Sequence, residues 1–173
     1  MTTRSTSSQS AGHQPDGHGR SSTGFDLTPP SAGQRRILES RLTAEERAVL
    51  LEHGTEAPHC GTLLANKEPG TYCCKLCGLP LFQAGTKFES GTGWPSFTAP
   101  FDKDHVKLLK DTSYGMIRVE ICCARCGSHQ GHVFPDGPPP TGMRFCINSV
   151  SLRFELSGSS LPVSVQDYVD AGA

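Results

Sequence analysis

Cys74-Lys75-Leu76-Cys77-Gly78 and Cys123-Ala124-Arg125-Cys126-Gly127 are two copies of one pattern, Cys-x-x-Cys-Gly. Each turn points two sulfurs at one centre, and the glycine behind it eases a tight backbone. Two such turns supply four thiolates, a tetrahedral donor set that suits Zn2+. Four protein ligands leave no open position, so one structural ion is expected at Cys74, Cys77, Cys123 and Cys126. The 45 residues between the pairs exceed the gap of a zinc ribbon, so the ion should staple two distant segments of one domain. Cys73 and Cys122 each precede a knuckle, but only the four named cysteines have the two-residue spacing. These two are read as strand cysteines that do not ligate. Two disulfides, redox-active pairs, or iron in place of zinc use the same residues and stay open at this point.

Around the knuckles the chain reads as strands. From Tyr72 onward Gly and Pro interrupt it every few residues, and no helical period survives three turns. The β-rich runs are 105–109, 116–122, 131–134 and 143–156, with Asp136-Gly137 and Pro138-Pro139-Pro140 as turn chemistry. A mostly antiparallel β domain is expected over residues 55–160. Upstream, Thr43 and Glu46 form a capping box before Ala48, Val49 and Leu51, which predicts a short helix ending by Gly54. Ile37 and Leu42 can extend its apolar face. Residues 1–33 hold only Met1, Phe25 and Leu27 as large apolar side chains, too few to offset ordering entropy. The expected organisation is a disordered tail (1–33), a folded domain (34–160) and a loose end (161–173). His13 and His18 are read as solvated tail residues.

The 173 residues suit one domain. Sixteen Lys and Arg against 17 Asp and Glu give a net charge of -1, no electrostatic footprint for nucleic acid. The apolar runs fall far short of the ~20 residues a membrane helix needs, and no secretory h-region follows the start. A cytoplasmic location is expected. Arg4 and the serines of the tail resemble a transit peptide only weakly, because the amphipathic pattern is missing.

Cys60 and Cys146 lie outside the knuckles. In Arg144-Phe145-Cys146-Ile147-Asn148-Ser149, strand alternation puts Arg144, Cys146 and Asn148 on one face, and Phe145 and Ile147 toward a core. A guanidinium two residues away favours the thiolate, and an amide can orient a partner. A buried structural cysteine is the competing reading. His129-Gln130-Gly131-His132 follows the second knuckle. Residues three apart on a strand face opposite ways, so bringing both imidazoles to one side needs a turn that Gly131 permits. Zinc already has four cysteines, so proton transfer beside Cys146 is the stronger use of this pair. His53, His59 and His105 carry no such context. The only Trp, Trp94, sits in Ser90-Gly91-Thr92-Gly93-Trp94-Pro95-Ser96-Phe97, either filling a core or walling a small apolar subsite.

Taken together and in order, the motifs at 91–97, 129–134, 136–138 and 144–149, with the two knuckles, resemble the type B peptide-methionine sulfoxide reductases. The resemblance spans about residues 40–155. It implies two antiparallel sheets of the Mss4-like, β-tent type with a four-cysteine zinc site away from the catalytic centre. It implies thiol-dependent reduction of the R epimer of methionine sulfoxide in peptides and proteins. Cys146 matches the nucleophile. His129, His132 and Asn148 match residues that hold the sulfoxide oxygen and supply a proton. Trp94 matches the ring that receives the substrate methyl, and Arg144 a residue beside the nucleophile. Thr92 stands where many members carry a resolving cysteine, so Cys60 is the expected substitute, giving a Cys60–Cys146 disulfide recycled by thioredoxin or a similar dithiol. Gln130 stands where Leu is usual. A monomer with no nucleic-acid or membrane partner is expected. A noncatalytic zinc-stapled binding module on the same scaffold is the rival.

Overall fold

Two antiparallel sheets carry the chain from residue 70 to 156 in the computed structural model, which describes residues 19–172. In chain order the strands are β1 (Gly70–Cys74), β2 (Pro80–Gln83), β3 (Lys87–Phe88), β4 (Ser96–Phe97), β5 (Val106–Asp111), β6 (Arg118–Cys123), β7 (His129–Phe134), β8 (Arg144–Ile147) and β9 (Leu152–Leu156). One sheet has the order β2-β1-β9, the other β3-β4-β8-β7-β6-β5. The expected mostly β fold with two antiparallel sheets is therefore the one observed.

The core lies where the sheets face each other. Tyr72 and Phe82 of the small sheet pack on Phe97 of the large one, at ring-centroid distances of 5.0 and 4.4 Å, and Phe145 joins at 5.9 Å from Phe82. Strand alternation selects these residues. In β8, Phe145 and Ile147 are buried while Arg144 and Cys146 point to the other side.

The expected run 143–156 is two strands in different sheets. A 3-10 turn over Ser149–Ser151 ends β8 and hands the chain across the core to β9. At this turn the buried Asn148 Nδ2 donates to the Gln130 carbonyl at 3.1 Å and the buried Ser151 Oγ to the His129 carbonyl at 3.0 Å.

Thr43 and Glu46 do form a capping box, opening α2 over Ala44–Leu50. A second helix upstream, α1 (Ala32–Ser40), was not expected, although Ser31 and Gln34 write the same box. A third, α3 (Val165–Asp170), is capped by Ser164 and buries Val165 and Tyr168.

These findings correct the terminal assignments. Residues 161–173 are no loose end up to 172, and residues 19–33 are not tail. Phe25 stacks its ring edge on Phe101 and His105, at 5.8 and 5.4 Å. Arg125, fully buried in the second knuckle, explains why both ends fold. Its guanidinium donates to the carbonyls of Asp26 (2.7 Å), Val163 (2.7 Å) and Cys77 (3.1 Å), tying both ends to the first knuckle. Residues 1–18, with His13, His18 and the transit-peptide hint, lie outside the described residues, as does residue 173. Among the described residues, no helix is long and apolar enough to cross a membrane.

Candidate active site and metal centre

The knuckles meet. Gly78 and Gly127 adopt φ of +73° and +76°, the left-handed turn that glycine permits without strain. The sulfurs of Cys74, Cys77, Cys123 and Cys126 lie within 4.8 Å of one another and all four residues are buried. Cys74 Sγ is 3.7 Å from Cys126 Sγ, and Cys77 Sγ 3.5 Å from Cys123 Sγ. Burial and neighbouring sulfurs push the Cys77 and Cys123 thiols far up, so these sites cannot ionise together without a cation among them. A dication fits that charge deficit and this donor set. Ser128 Oγ stands 3.3 Å from Cys74 Sγ and 3.1 Å from Cys126 Sγ, and the Gln130 amide donates toward Cys74 Sγ at 3.6 Å. The cluster thus has its own polar surroundings. Cys73 and Cys122 sit on β1 and β6 outside the cluster, their thiols pushed up to about 12, chiefly by burial.

The second site lies on the outward face of the large sheet. Cross-strand register aligns Ser96, Cys146, His132 and Glu120 in one row over four strands. Cys146 is thereby set directly opposite His132. The close approach of β7 and β8 needs Gly131, because a Cβ there would lie 2.0 Å from the Cys146 carbonyl oxygen.

His129 and His132 share this face by a different device from the one expected. Ile121 pairs with Gly131 and Cys122 with His129, so Gln130 is an extra residue, a β-bulge. The bulge turns Gln130 inward, fully buried, and brings the two imidazoles together at 5.5 Å between centroids. Each ring has a carboxylate. His129 Nδ1 is 2.6 Å from Glu120 Oε1, and His132 Nε2 is 2.7 Å from Asp111 Oδ2. Arg118 donates to the same Asp111 oxygen at 2.9 Å. Burial pulls the pKa of His129 down, against the opposing pull of Glu120. Asp111 is held below the usual carboxylate range, first by its hydrogen bonds to Ser113 and then by His132.

Arg144 does not act on Cys146 alone. Its Nε and Nη2 clamp Asp136 at 2.9 and 3.0 Å, and its guanidinium carbon lies 4.5 Å over the Phe134 ring. Burial pushes the Cys146 thiol up, and Arg144 and the Thr92 hydroxyl pull it back only in part. The guanidinium thus pulls in the direction the sequence implied, and burial opposes it.

Cys146 opens into a cavity of about 130 Å³ whose walls include Trp94, His132, Phe134, Arg118 and Asn148. The Trp94 ring is fixed by its Nε1–H, which donates to the Glu56 carbonyl at 3.1 Å. Asn148 lies just past β8, not on it. Its Oδ1 accepts from Glu56 N at 3.0 Å and its Nδ2 donates to Gln130 O at 3.1 Å, so its amide braces the cavity wall.

Glu56 carried no signal in the sequence, yet it holds this corner together. Its buried carboxylate accepts from Ser149 N (2.6 Å) and Val150 N (3.1 Å), just after β8. Glu120 and Asp111 were missed as well. Only fold-level pairing brings them to their histidines.

Cys60 is exposed, and both it and Cys146 are free thiols. Its neighbours are pinned on either side. His59 N donates to the Gly93 carbonyl of the tryptophan loop at 2.8 Å, and Gly61 packs so tightly on Ser149 that a Cβ would lie 2.0 Å from its Oγ. The loop carrying Cys60 thus lies between the tryptophan loop and the turn that follows Cys146.

Comparison with known proteins points the same way. A family model described as the SelR domain matches residues 42–156. A Caulobacter vibrioides protein named peptide methionine sulfoxide reductase MsrB is 68% identical over 142 residues, 82% of this chain and 89% of that protein. A Xylella fastidiosa protein of the same name is 62% identical over 138 residues, covering 80% and 89%. One from Methanosarcina barkeri is 60% identical over 114 residues, covering 66% and 80%.

Proposed function

The chain belongs to the SelR-domain family of MsrB-type peptide methionine sulfoxide reductases, and from that premise we propose how its own residues carry the reaction. Its activity is the reduction of methionine sulfoxide in peptides to methionine. The observation that carries the residue assignment is the cross-strand pair Cys146–His132 at the mouth of a cavity walled by Trp94.

The substrate is the R epimer, with its methyl group against the Trp94 ring. Cys146 attacks the sulfoxide sulfur. Its thiol is raised at rest, so the proton must leave as the new S–S contact forms. At the same time the sulfoxide oxygen must gain a proton, because oxide is a poor leaving group. His132, held by Asp111, is the group placed to relay that proton. His129, held by Glu120, is the second acid, one ring further from the nucleophile. Cys146–SH and the sulfoxide thus yield a Cys146 sulfenic acid and methionine, with no atom left over. Asn148 and Glu56 keep the oxygen-binding wall in place, and Arg144 fixes the β8 edge of the site through Asp136.

Cys60 then attacks the sulfenic sulfur, water leaves, and a Cys60–Cys146 disulfide forms. The exposure of Cys60 suits reduction of that bond by thioredoxin or a similar dithiol. At the knuckles, Cys74, Cys77, Cys123 and Cys126 hold one structural Zn2+, which supplies a cross-link between distant segments and no chemistry.

The test is a peptide carrying separated R and S methionine sulfoxide, incubated with dithiothreitol, with methionine quantified. Turnover of R alone is expected. No turnover of either epimer by folded, metal-loaded protein would move the assignment to a binding module.

A further inference from the structure

His53 lies outside the cavity that receives the sulfoxide, and the reaction above gives it no role. It nonetheless faces the machinery. It adopts φ of +58°, a left-handed conformation uncommon for a residue with a side chain. That turn, just after α2, lays its ring on Glu120. His53 Nδ1 stands 2.6 Å from Glu120 Oε1, the same oxygen that His129 Nδ1 approaches at 2.6 Å. The three donor atoms lie within 4.8 Å of one another. The two imidazole centroids are 5.4 Å apart.

We propose that His53, Glu120 and His129 form a second metal site, for a divalent transition ion of the Zn2+ class, whose occupancy withdraws His129 from proton transfer. Two imidazole nitrogens and one carboxylate oxygen favour zinc, nickel or copper over the oxygen-seeking magnesium and calcium. Three protein ligands leave a position for water, unlike the closed cysteine cluster. The site is reachable. The His53 side chain is 58% exposed, and a cavity of about 480 Å³ opens on all three residues. It is also anchored, since His129 is buried and Glu120 lies on β6, paired on both sides by β5 and β7. His129 Nε2 is buried without a protein partner, so the group at Nδ1 governs this ring. That group is Glu120 when the site is vacant and the metal ion when it is filled.

Binding at this site stands apart from the catalytic assignment; only the inhibition rests on it. The experiment uses the full chain with its cysteine cluster loaded. Zn2+ uptake is measured by equilibrium dialysis, and turnover by a single-turnover assay of methionine release, which needs no added thiol to compete for metal. One further equivalent of Zn2+ is expected, with at least tenfold slower methionine release. His53→Ala should bind that equivalent at least tenfold more weakly and keep its basal rate at the same free Zn2+. Co2+ at the second site should show d–d bands without sulfur charge transfer.

No second equivalent, equal binding by His53→Ala, or a sulfur band would overturn the site. Uptake without inhibition would overturn the coupling to His129. If protein loaded at the cysteine cluster alone released no methionine while uptake of the further equivalent stayed dependent on His53, the catalytic reading would fail and the metal site would stand.

Discussion

The knuckle cysteines and Cys146 present the same atom in two settings, and the difference lies in how many partners each sulfur has left. At the knuckles every sulfur faces other sulfurs, all four residues are buried, and Ser128 and Gln130 fill the gaps. Cys146 is raised by burial too, but its face opens on a cavity, and its cationic neighbour Arg144 is shared with Asp136 and Phe134. A closed donor set stores stability. An open one leaves room for a reacting atom. Substitutions that exchange only the sulfur should separate the two roles cleanly.

The largest effect on activity is expected at Cys146. Cys146→Ser should give no detectable methionine with any reductant while melting at an unchanged temperature; retained turnover would dismiss it as nucleophile. Cys77→Ser should do the reverse. It removes one thiolate from a buried set of four, and the binding energy of such a structural site, about 10–16 kcal/mol in zinc-finger peptides, is folding energy. Metal content and melting temperature should fall together, and a metal-free Cys77→Ser protein that melts normally would refute the structural role. Cys60→Ser is a smaller change. Its single turnover should match the parent while thioredoxin-linked cycling is lost. Undiminished cycling would mean that the sulfenic acid is reduced without Cys60.

Why the knuckles were legible and the rest of the site only partly so follows from range. Cys-x-x-Cys-Gly is a local geometry, and the Cys146 face is a period of two along one short strand. Both survive translation from sequence to structure. What did not survive depends on partners far along the chain. The terminal segments fold because Arg125 reaches Asp26 across 99 residues, which composition cannot register. The imidazole pair depends on a bulge at Gln130 set by the pairing of β6 with β7. Asn148 was placed on the strand face by alternation, but buried Glu56 pulls it into a turn. Strands of two residues, such as β3 and β4, are too short to show any period. The capping box at Ser31 and Gln34 was readable; it was hidden by the polar composition around it.

The latch on the N-terminal segment offers the smallest effect and one with a distinct pH signature. Asp102 is buried, yet its carboxylate accepts from Ser22 Oγ (2.6 Å), Thr23 N (3.1 Å), Thr23 Oγ1 (2.9 Å) and Asp104 N (2.9 Å). Burial alone would raise its pKa; the hydrogen bonds outweigh it and bring the value from 3.8 down to about 2. Neighbouring His105 is pulled down by its own burial and Asp102 opposes that shift. A carboxylate lowered in the folded state stabilises fully above its unfolded pKa and ceases to do so as pH falls through the folded value. The contribution is roughly 2 kcal/mol, present at pH 7 and lost between about pH 4 and 2. Asp102→Asn should forfeit much of it at neutral pH, speed amide exchange at residues 21–25, and leave methionine release unaltered, because Asp102 touches nothing in the Cys146 cavity. The parent's stability should then drop more steeply than the variant's between pH 4 and 2. Parallel acid curves for the two proteins would show that the latch is held by the packing of Phe25 on Phe101 and His105, and not by charge.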